Sequence, residues 1–170
     1  MPWRRAGFTL IEVLVVLVII SIVLGVVTLN VDHRRDDVAE AVRRLGAIVR
    51  LASEEAVLRS RELAMQVEPG GYRFLEIGKD GFVPVEGDEV LRPRQLPEGL
   101  ELTLALEGEP VQLVAAEEAD GKEDQRPARI FLLSSGEVTP FELRLHDPYT
   151  EVVWVVAGEL TGAITVQTAP

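Results

Sequence analysis

The run from Val13 to Val31 constrains this chain most, because it contains no charged residue. A helix from Phe8 to Leu29 would be about 33 Å long at about 1.5 Å per residue. The hydrocarbon core of a bilayer is about 30 Å thick, so a helix of this length and composition is long enough to cross it. The sequence therefore predicts a transmembrane helix near the N-terminus.

The residues at the start of this run are unusual for a plain membrane anchor. Arg4 and Arg5 precede the run, and Glu12 places a carboxylate within the predicted span. A carboxylate costs about 2.5–3.5 kcal/mol at the centre of a bilayer and less toward its surface. We therefore expect Glu12 to meet a cation.

The segment from Gly7 to Glu12, which reads Gly-Phe-Thr-Leu-Ile-Glu, precedes the apolar helix. It resembles the class III signal of type IV pilins and type II secretion pseudopilins. The resemblance implies that prepilin peptidase cuts after Gly7 on the cytoplasmic side and N-methylates the new terminus, Phe8. It also implies that Glu12 contacts the terminal amino group of a neighbouring subunit. A secretory signal peptide or a plain signal anchor would share the basic leader and the apolar run, but neither accounts for Glu12.

The resemblance and the apolar run together divide the chain into three predicted parts. Residues 1–7 form a cleaved basic leader, and residues 8–30 form the transmembrane and assembly helix. Residues 31–170 form a periplasmic pilin-like domain, with a helix over 31–62 and a β-sheet region over 63–170.

Charge is distributed unevenly along the chain. Residues 63–170 hold eight basic and twenty acidic side chains, a net charge of −12. Basic residues flank only the N-terminal end of the span, which predicts a cytoplasmic N-terminus and a C-terminal domain outside the bacterial inner membrane, in the periplasm. An acidic domain repels phosphate groups, so no nucleic-acid partner is expected.

Beyond the predicted span, apolar residues recur at steps of three and four, which is typical of an amphipathic helix. They are Val38, Ala41, Val42, Leu45, Ile48, Val49, Ala52 and Ala56. No proline lies between Trp3 and Val67. The pattern predicts one helix from about Phe8 to about Arg61, whose second half packs on a sheet.

After Glu62 the apolar period changes to two, and turn residues recur at short intervals, which indicates about eight strands. The predicted fold class is α+β: a long N-terminal helix packed on a mainly antiparallel β-sheet. Two assignments are specific enough to test. Val111–Ala115 is expected to pair with the strand at Leu100–Leu106 across a turn at 108–110, and Ile130–Leu133 is expected to be a central strand.

The segment from Ile130 to Leu145 resembles the C-terminal hairpin of the H-type minor pseudopilins of type II secretion. In the predicted hairpin, Gly136 supplies the turn and Pro140 opens the return strand. The resemblance implies a minor subunit near the tip of a short periplasmic pseudopilus that supports export of folded proteins. Its expected partners are other minor pseudopilins, the major pseudopilin, prepilin peptidase with its N-methyltransferase activity, and the inner membrane, with secreted proteins as further candidates. A minor pilin of a type IV pilus, or a membrane-anchored periplasmic binding domain, remains an alternative.

Catalytic and metal-binding patterns are absent from the sequence. His33 and His146 are the two histidines, and neither has an acidic or nucleophilic partner at a recognisable spacing. We therefore predict no enzymatic activity, no catalytic residue, no cofactor and no metal site. The acidic segment 117–126 is interpreted as a solvated loop, with calcium binding left open because it lacks a matching twelve-residue frame.

Overall fold

The computed structural model describes residues 10–79, 81–115 and 127–169, and for 23–32 it describes only the helical backbone. The chain divides into two compact units, Met1–Asp36 and Asp37–Pro170. The predicted leader at 1–7, Phe8 and the acidic segment at 117–126 lie outside the described residues.

Helix α1 runs from Leu10 to Arg59 over 50 residues, so it begins in the first unit and ends in the second. Ser60 ends it by adopting a left-handed conformation with φ of 50°. The backbone N–H of Arg61 then donates to the carbonyl of Ala56 at 3.0 Å, which satisfies one of the last open carbonyls. The predicted C-terminal end of the helix is confirmed to within two residues.

In the part of the chain that the structure describes, ten strands follow the helix. They are β1 (Leu63–Glu68), β2 (Gly71–Gly78), β3 (Gly81–Pro84), β4 (Arg94–Gln95), β5 (Glu101–Leu106), β6 (Glu109–Val111), β7 (Ala128–Leu132), β8 (Phe141–Asp147), β9 (Val152–Gly158) and β10 (Ile164–Ala169). The first sheet has the order β3-β2-β1-β7, with β4 beside β2, and the second has the order β10-β9-β8-β5-β6. All pairings among the described strands are antiparallel, which confirms the predicted α+β class.

The core of the second unit joins the predicted helix stripe to both sheets. Val42, Leu45 and Val49 are fully buried and share one apolar cluster with strand residues such as Phe74 and Leu143. On the same helix, a Cβ at Gly46 would collide with the Val166 side chain on β10. The prediction that this part of the helix packs on sheet is therefore confirmed.

The predicted hairpin after β5 forms with a different turn. The structure pairs Leu104 with Val111 and Leu106 with Glu109, so the strand ends at Val111 where Val111–Ala115 had been expected to begin. Glu107 and Gly108 make the two-residue turn, and both have positive φ, 52° and 87°. Two consecutive positive φ values match the twist of a tight hairpin, which explains why the turn at 108–110 was wrong.

The expectation that Ile130–Leu133 is a central strand was also wrong. Strand β7 pairs with β1 and lies at the end of the first sheet. Its apolar residues reflect burial of one face, since Ile130 and Leu132 are both fully buried. Its outer edge is partly covered, because Thr139 donates its N–H to the carbonyl of Phe131 at 3.0 Å.

The predicted hairpin between β7 and β8 is replaced by a crossing between sheets. Gly136 does make the turn, with φ of 89°, and Leu133 donates its N–H to the carbonyl of Glu137 at 2.9 Å. Pro140 has no N–H to continue that pairing. Its carbonyl accepts instead from the N–H of Glu107 in the second sheet at 2.8 Å, so β8 joins β5 rather than β7.

Candidate functional site

The predicted site residues fall at the start of the chain. Gly7 and Phe8 lie outside the described residues, and their roles remain predictions. Glu12 is in the first turn of α1, and its side chain is exposed. A carboxylate at that end of a helix is favoured by the helix dipole.

The first stretch of α1, Leu10–Ile22, is apolar and exposed on every face. Leu10 is 84% exposed, and even Val16, the least exposed large apolar side chain of the stretch, is 47% exposed. The hydroxyl of Ser21 donates to the carbonyl of Leu17 at 2.8 Å, so this polar group is satisfied within the helix. A helix that is hydrophobic all round is stable only when lipid or other protein surrounds it.

Within the part of the chain that the structure describes, no helical stretch has both the length and the hydropathy needed to cross a bilayer. The predicted span at 8–30 extends beyond the residues whose side chains are described.

His146 acquires two acidic neighbours that sequence reasoning missed. Its Nδ1 lies 3.0 Å from a carboxylate oxygen of Glu101, and its Nε2 lies 3.7 Å from Glu151. Glu101 faces His146 because the antiparallel register of β5 and β8 places the two residues opposite each other. The hydrogen bond to Glu101 raises the pKa of His146, against a smaller opposing effect of desolvation.

This histidine cluster is an exposed ion pair on the sheet surface. Among the described residues, no three histidine or acidic side chains converge in a way that would hold a metal ion.

Asp147, the neighbour of His146, is fully buried, and its carboxylate accepts from the N–H of Tyr149 at 3.2 Å and the hydroxyl of Thr150 at 2.9 Å. These contacts fix the turn between β8 and β9.

A long N-terminal helix that is apolar on all faces at its start, followed by an α+β domain of antiparallel sheets, defines a pilin-like protein. Residues 4–28 match the prokaryotic N-terminal methylation motif, and residues 41–162 match the family of type II transport protein GspH. The chain belongs to this family, and it is a minor pseudopilin of a type II secretion system.

Two relatives and one solved structure illustrate the match. The type II secretion system protein H of Pseudomonas aeruginosa is 35% identical over 146 residues, which cover 83% of each chain. Its namesake from Aeromonas hydrophila is 31% identical over 148 residues, covering 84% of this chain and 81% of the relative. The crystal structure of the minor pseudopilin EpsH from the type II secretion system of Vibrio cholerae is 26% identical, has a TM-score of 0.61, and is matched over 78% of this chain and 96% of its own.

These comparisons bear on three further expectations. The methylation motif and the family together indicate a subunit anchored in the inner membrane. Membership of the family also indicates a component of the pseudopilus that interacts with other pseudopilins. The relatives carry the names of secretion-system proteins and pseudopilins, not of enzymes.

Proposed function

We propose that this chain is cut between Gly7 and Phe8 by prepilin peptidase, is N-methylated at Phe8, and then joins the tip region of the pseudopilus. The residues that carry this role are Gly7, Phe8 and Glu12. The methylation motif, which matches residues 4–28, includes all three and supports the assignment.

The exposed apolar stretch Leu10–Ile22 is the observation that carries the proposal. Eleven large apolar side chains in it are exposed. Burying a side chain of this size stabilises by roughly 1.5–3 kcal/mol, so leaving the set in water costs on the order of 10 kcal/mol or more. The stretch therefore needs a membrane before assembly and neighbouring helices after it.

Glu12 would set the position at which this stretch packs against a neighbouring subunit. It is the one charged residue between Leu10 and Val31. In low dielectric a carboxylate is stabilised by a hydrogen-bonded cation, and cleavage creates such a cation at the terminal amine of Phe8. The proposed contact joins Glu12 of one subunit to the methylated terminus of its neighbour, which fixes the axial position of one helix against the next.

In this topology, residues 1–7 are the leader and residues 8–30 span the inner membrane once. The N-terminus is cytoplasmic and residues 31–170 are periplasmic. The partners are the other minor pseudopilins, the major pseudopilin, prepilin peptidase and secreted proteins, and the subunit has no catalytic role. The match to type II secretion relatives supports this assignment over a type IV pilus minor pilin or a membrane-anchored binding domain.

The decisive experiment replaces Glu12 with alanine in a strain that carries the whole secretion system. Leader cleavage should persist, because the scissile bond lies four residues away, and mass spectrometry should still find N-methyl-Phe8 as the first residue. Cross-linking to other pseudopilins and secretion should be lost, because the neighbour's terminal amine is left without its carboxylate. Glu54→Ala is the matched control, since Glu54 is an exposed glutamate on the same helix.

Two results would contradict the proposal. Normal cross-linking and secretion by Glu12→Ala would remove Glu12 from the assembly contact. A mature protein that begins at Met1 or beyond Ser21 would remove Gly7 and Phe8 from the processing site.

A further inference from the structure

A basic pocket lies in the second unit, on a domain that is otherwise acidic. It has a volume of about 290 Å³ and is bounded by α1, β2 and the segment 92–96. Its charged and polar lining comes from Arg44 on α1, Tyr72 on β2, and Arg92 and Arg94 on the segment that contains β4.

The segment that carries the two arginines is held in place on both sides. Leu91 is fully buried before them, and Leu96 is 9% exposed after them. The carboxylate of Asp88 accepts the N–H groups of Val90 at 2.8 Å and Leu91 at 3.1 Å, and these hydrogen bonds lower the pKa of Asp88.

Backbone pairing then sets the position of Arg94. It lies opposite Tyr72 where β4 pairs with β2, and its neighbour Gln95 lies opposite Gly71. A Cβ at Gly71 would collide with the carbonyl oxygen of Arg94, so glycine is what allows β4 to approach this closely. The pocket is therefore a built feature of the fold.

Two of the three pocket arginines, Arg92 and Arg94, differ from other arginines of the sheets in their partners, whereas Arg44 pairs with Glu40 on the same helix. Arg73 pairs with Glu68 at 2.7 Å, and Arg144 pairs with Glu142 at 2.7 Å. Within the described part of the chain, neither Arg92 nor Arg94 has a carboxylate partner.

Arg94 has unused hydrogen-bonding capacity inside the pocket wall. Its Nη2 donates to the backbone carbonyls of Glu89 and Val90 at 3.3 Å each. Its Nε is buried and has no acceptor among the described residues. A buried donor without an acceptor costs free energy, and the fold holds Arg94 in the pocket wall despite this cost.

The same cations act on Tyr72. Its ring is 5% exposed and packs edge-on against Phe74, with 6.0 Å between ring centroids. Burial raises the pKa of Tyr72, while the positive charges of Arg94 and Arg44 oppose that rise. The pocket therefore presents the guanidinium groups of Arg92 and Arg94 to an anion, with Arg44 and the phenol of Tyr72 beside them.

We propose that this pocket binds a carboxylate side chain from an acidic peptide segment of a neighbouring subunit in the pseudopilus, an inference that rests on the proposed assembly function. Guanidinium groups bind carboxylates through paired, charge-assisted hydrogen bonds. Ala41 and Pro93 also line the pocket, so the methylenes and backbone of a peptide have apolar contacts that a free inorganic anion would leave unused.

The test uses the full chain in detergent micelles and an acetylated tetraglutamate amide as the probe. Binding is followed by fluorescence anisotropy of the labelled probe and by the NMR resonance of the Arg94 Nε–H, which should shift when a carboxylate binds to the same guanidinium group. Arg92→Gln should weaken binding roughly tenfold or more, the usual effect of losing a charge-assisted hydrogen bond. Arg144→Gln is the matched control, since it removes an arginine from a different sheet, and it should change binding less than about twofold.

Two further probes distinguish binding of a peptide carboxylate from binding of an uncharged peptide or of a free inorganic anion. A tetraglutamine peptide should not shift the Arg94 resonance, and inorganic phosphate at equal concentration should not displace the tetraglutamate. Displacement by phosphate, absence of peptide binding, or equal weakening by Arg92→Gln and Arg144→Gln would each overturn the proposal.

The outcome is separable from that of the proposed function. Arg92 is exposed and, among the described residues, makes no hydrogen bond, so Arg92→Gln should fold normally. Leader cleavage and membrane fractionation, measured on the same variant, should be unchanged. If the wild-type chain does not bind the peptide, the pocket has no role in assembly. The roles of Gly7, Phe8 and Glu12 are then still tested separately by Glu12→Ala and by mass spectrometry.

Discussion

Two stretches of α1 share one secondary structure and differ in what surrounds them. In Leu10–Ile22 every large apolar side chain is exposed, whereas between Val38 and Ala56 one face of the helix carries a buried apolar stripe. The second stretch carries charged residues such as Arg43 and Glu54 on its other side, and both are exposed. The first stretch has no such polar face, so its apolar side chains can be buried only by lipid or by other chains.

The comparison shows that helix formation and helix burial are separate problems. Backbone hydrogen bonding is satisfied locally in both stretches, and it does not depend on the solvent. The free energy of the side chains does depend on the solvent, because exposed apolar area is unfavourable in water. In the second stretch this area is buried within the chain, and in the first its burial requires lipid or other chains.

The largest expected effect comes from placing a charge in the buried stripe. Leu45→Asp should destabilise the second unit by about 4 kcal/mol or more, because a large apolar side chain is lost and an unpaired carboxylate is buried. Hydrogen exchange of the full chain in micelles measures it, since the amides of β1 should lose their protection. Leu51→Asp is the control, because Leu51 is on the same helix but is 42% exposed. Unchanged protection in Leu45→Asp would mean that the stripe does not hold the sheets.

The same substitution in the first stretch should have a different consequence. Leu17→Asp should leave hydrogen exchange in the strands unchanged, because Leu17 is 59% exposed and lies in the first unit. It should instead lower the fraction of protein in the membrane, since a carboxylate there costs about 2.5–3.5 kcal/mol, or roughly a hundredfold in partitioning. Cell fractionation measures this. Leu58→Asp is the control, because Leu58 is in the second unit and is 83% exposed, and this variant should stay in the membrane fraction. If both variants leave the membrane fraction equally, the two stretches of α1 do not differ in their need for lipid.

A smaller effect should follow from one methyl group on the packed side of the helix. Gly46→Ala should destabilise the second unit by about 1–2 kcal/mol, because overpacking against Val166 exceeds the gain in helix propensity of about 1 kcal/mol. Denaturant unfolding of Gly46→Ala, Val166→Ala and the double variant measures the coupling. The double variant should be more stable than the sum of the single effects predicts. Additive effects would mean that the two residues do not touch.

The smallest effect concerns the exposed charges of the second sheet. The pKa of His146 is raised from its ordinary value of 6.5, chiefly by the hydrogen bond to Glu101. The folded state therefore holds this proton more tightly than the unfolded chain does. The resulting stabilisation is present below about pH 6.5 and is lost as the pH rises through the raised pKa.

An NMR titration of His146, with His33 replaced by glutamine to simplify assignment, gives this pKa directly. Glu101→Gln should bring it back toward the ordinary value and should change the melting temperature only slightly, as expected for an exposed pair. A titration of His146 that is the same with and without Glu101 would show that the hydrogen bond has no effect in solution.

The sequence by itself determined the parts of this protein that depend on local pattern. The three- and four-residue spacing from Val38 to Ala56 specified a helix and its buried face. The resemblance carried by Gly7–Glu12 and Ile130–Leu145 led to the family. The roles of Gly7, Phe8 and Glu12, and the domain boundaries, remain predictions that the structure does not test.

Only the tertiary structure decided how the strands combine. Alternation cannot distinguish an edge strand from a central one, so β7 was misplaced, and it cannot reveal that Pro140 sends the chain from one sheet to the other. The pairing of His146 with Glu101 and the position of Arg94 beside Tyr72 likewise depend on register between segments that are distant in sequence. The physical reason is that periodicity reports which face of a segment is buried, whereas strand partners are selected by the joint packing of the whole core.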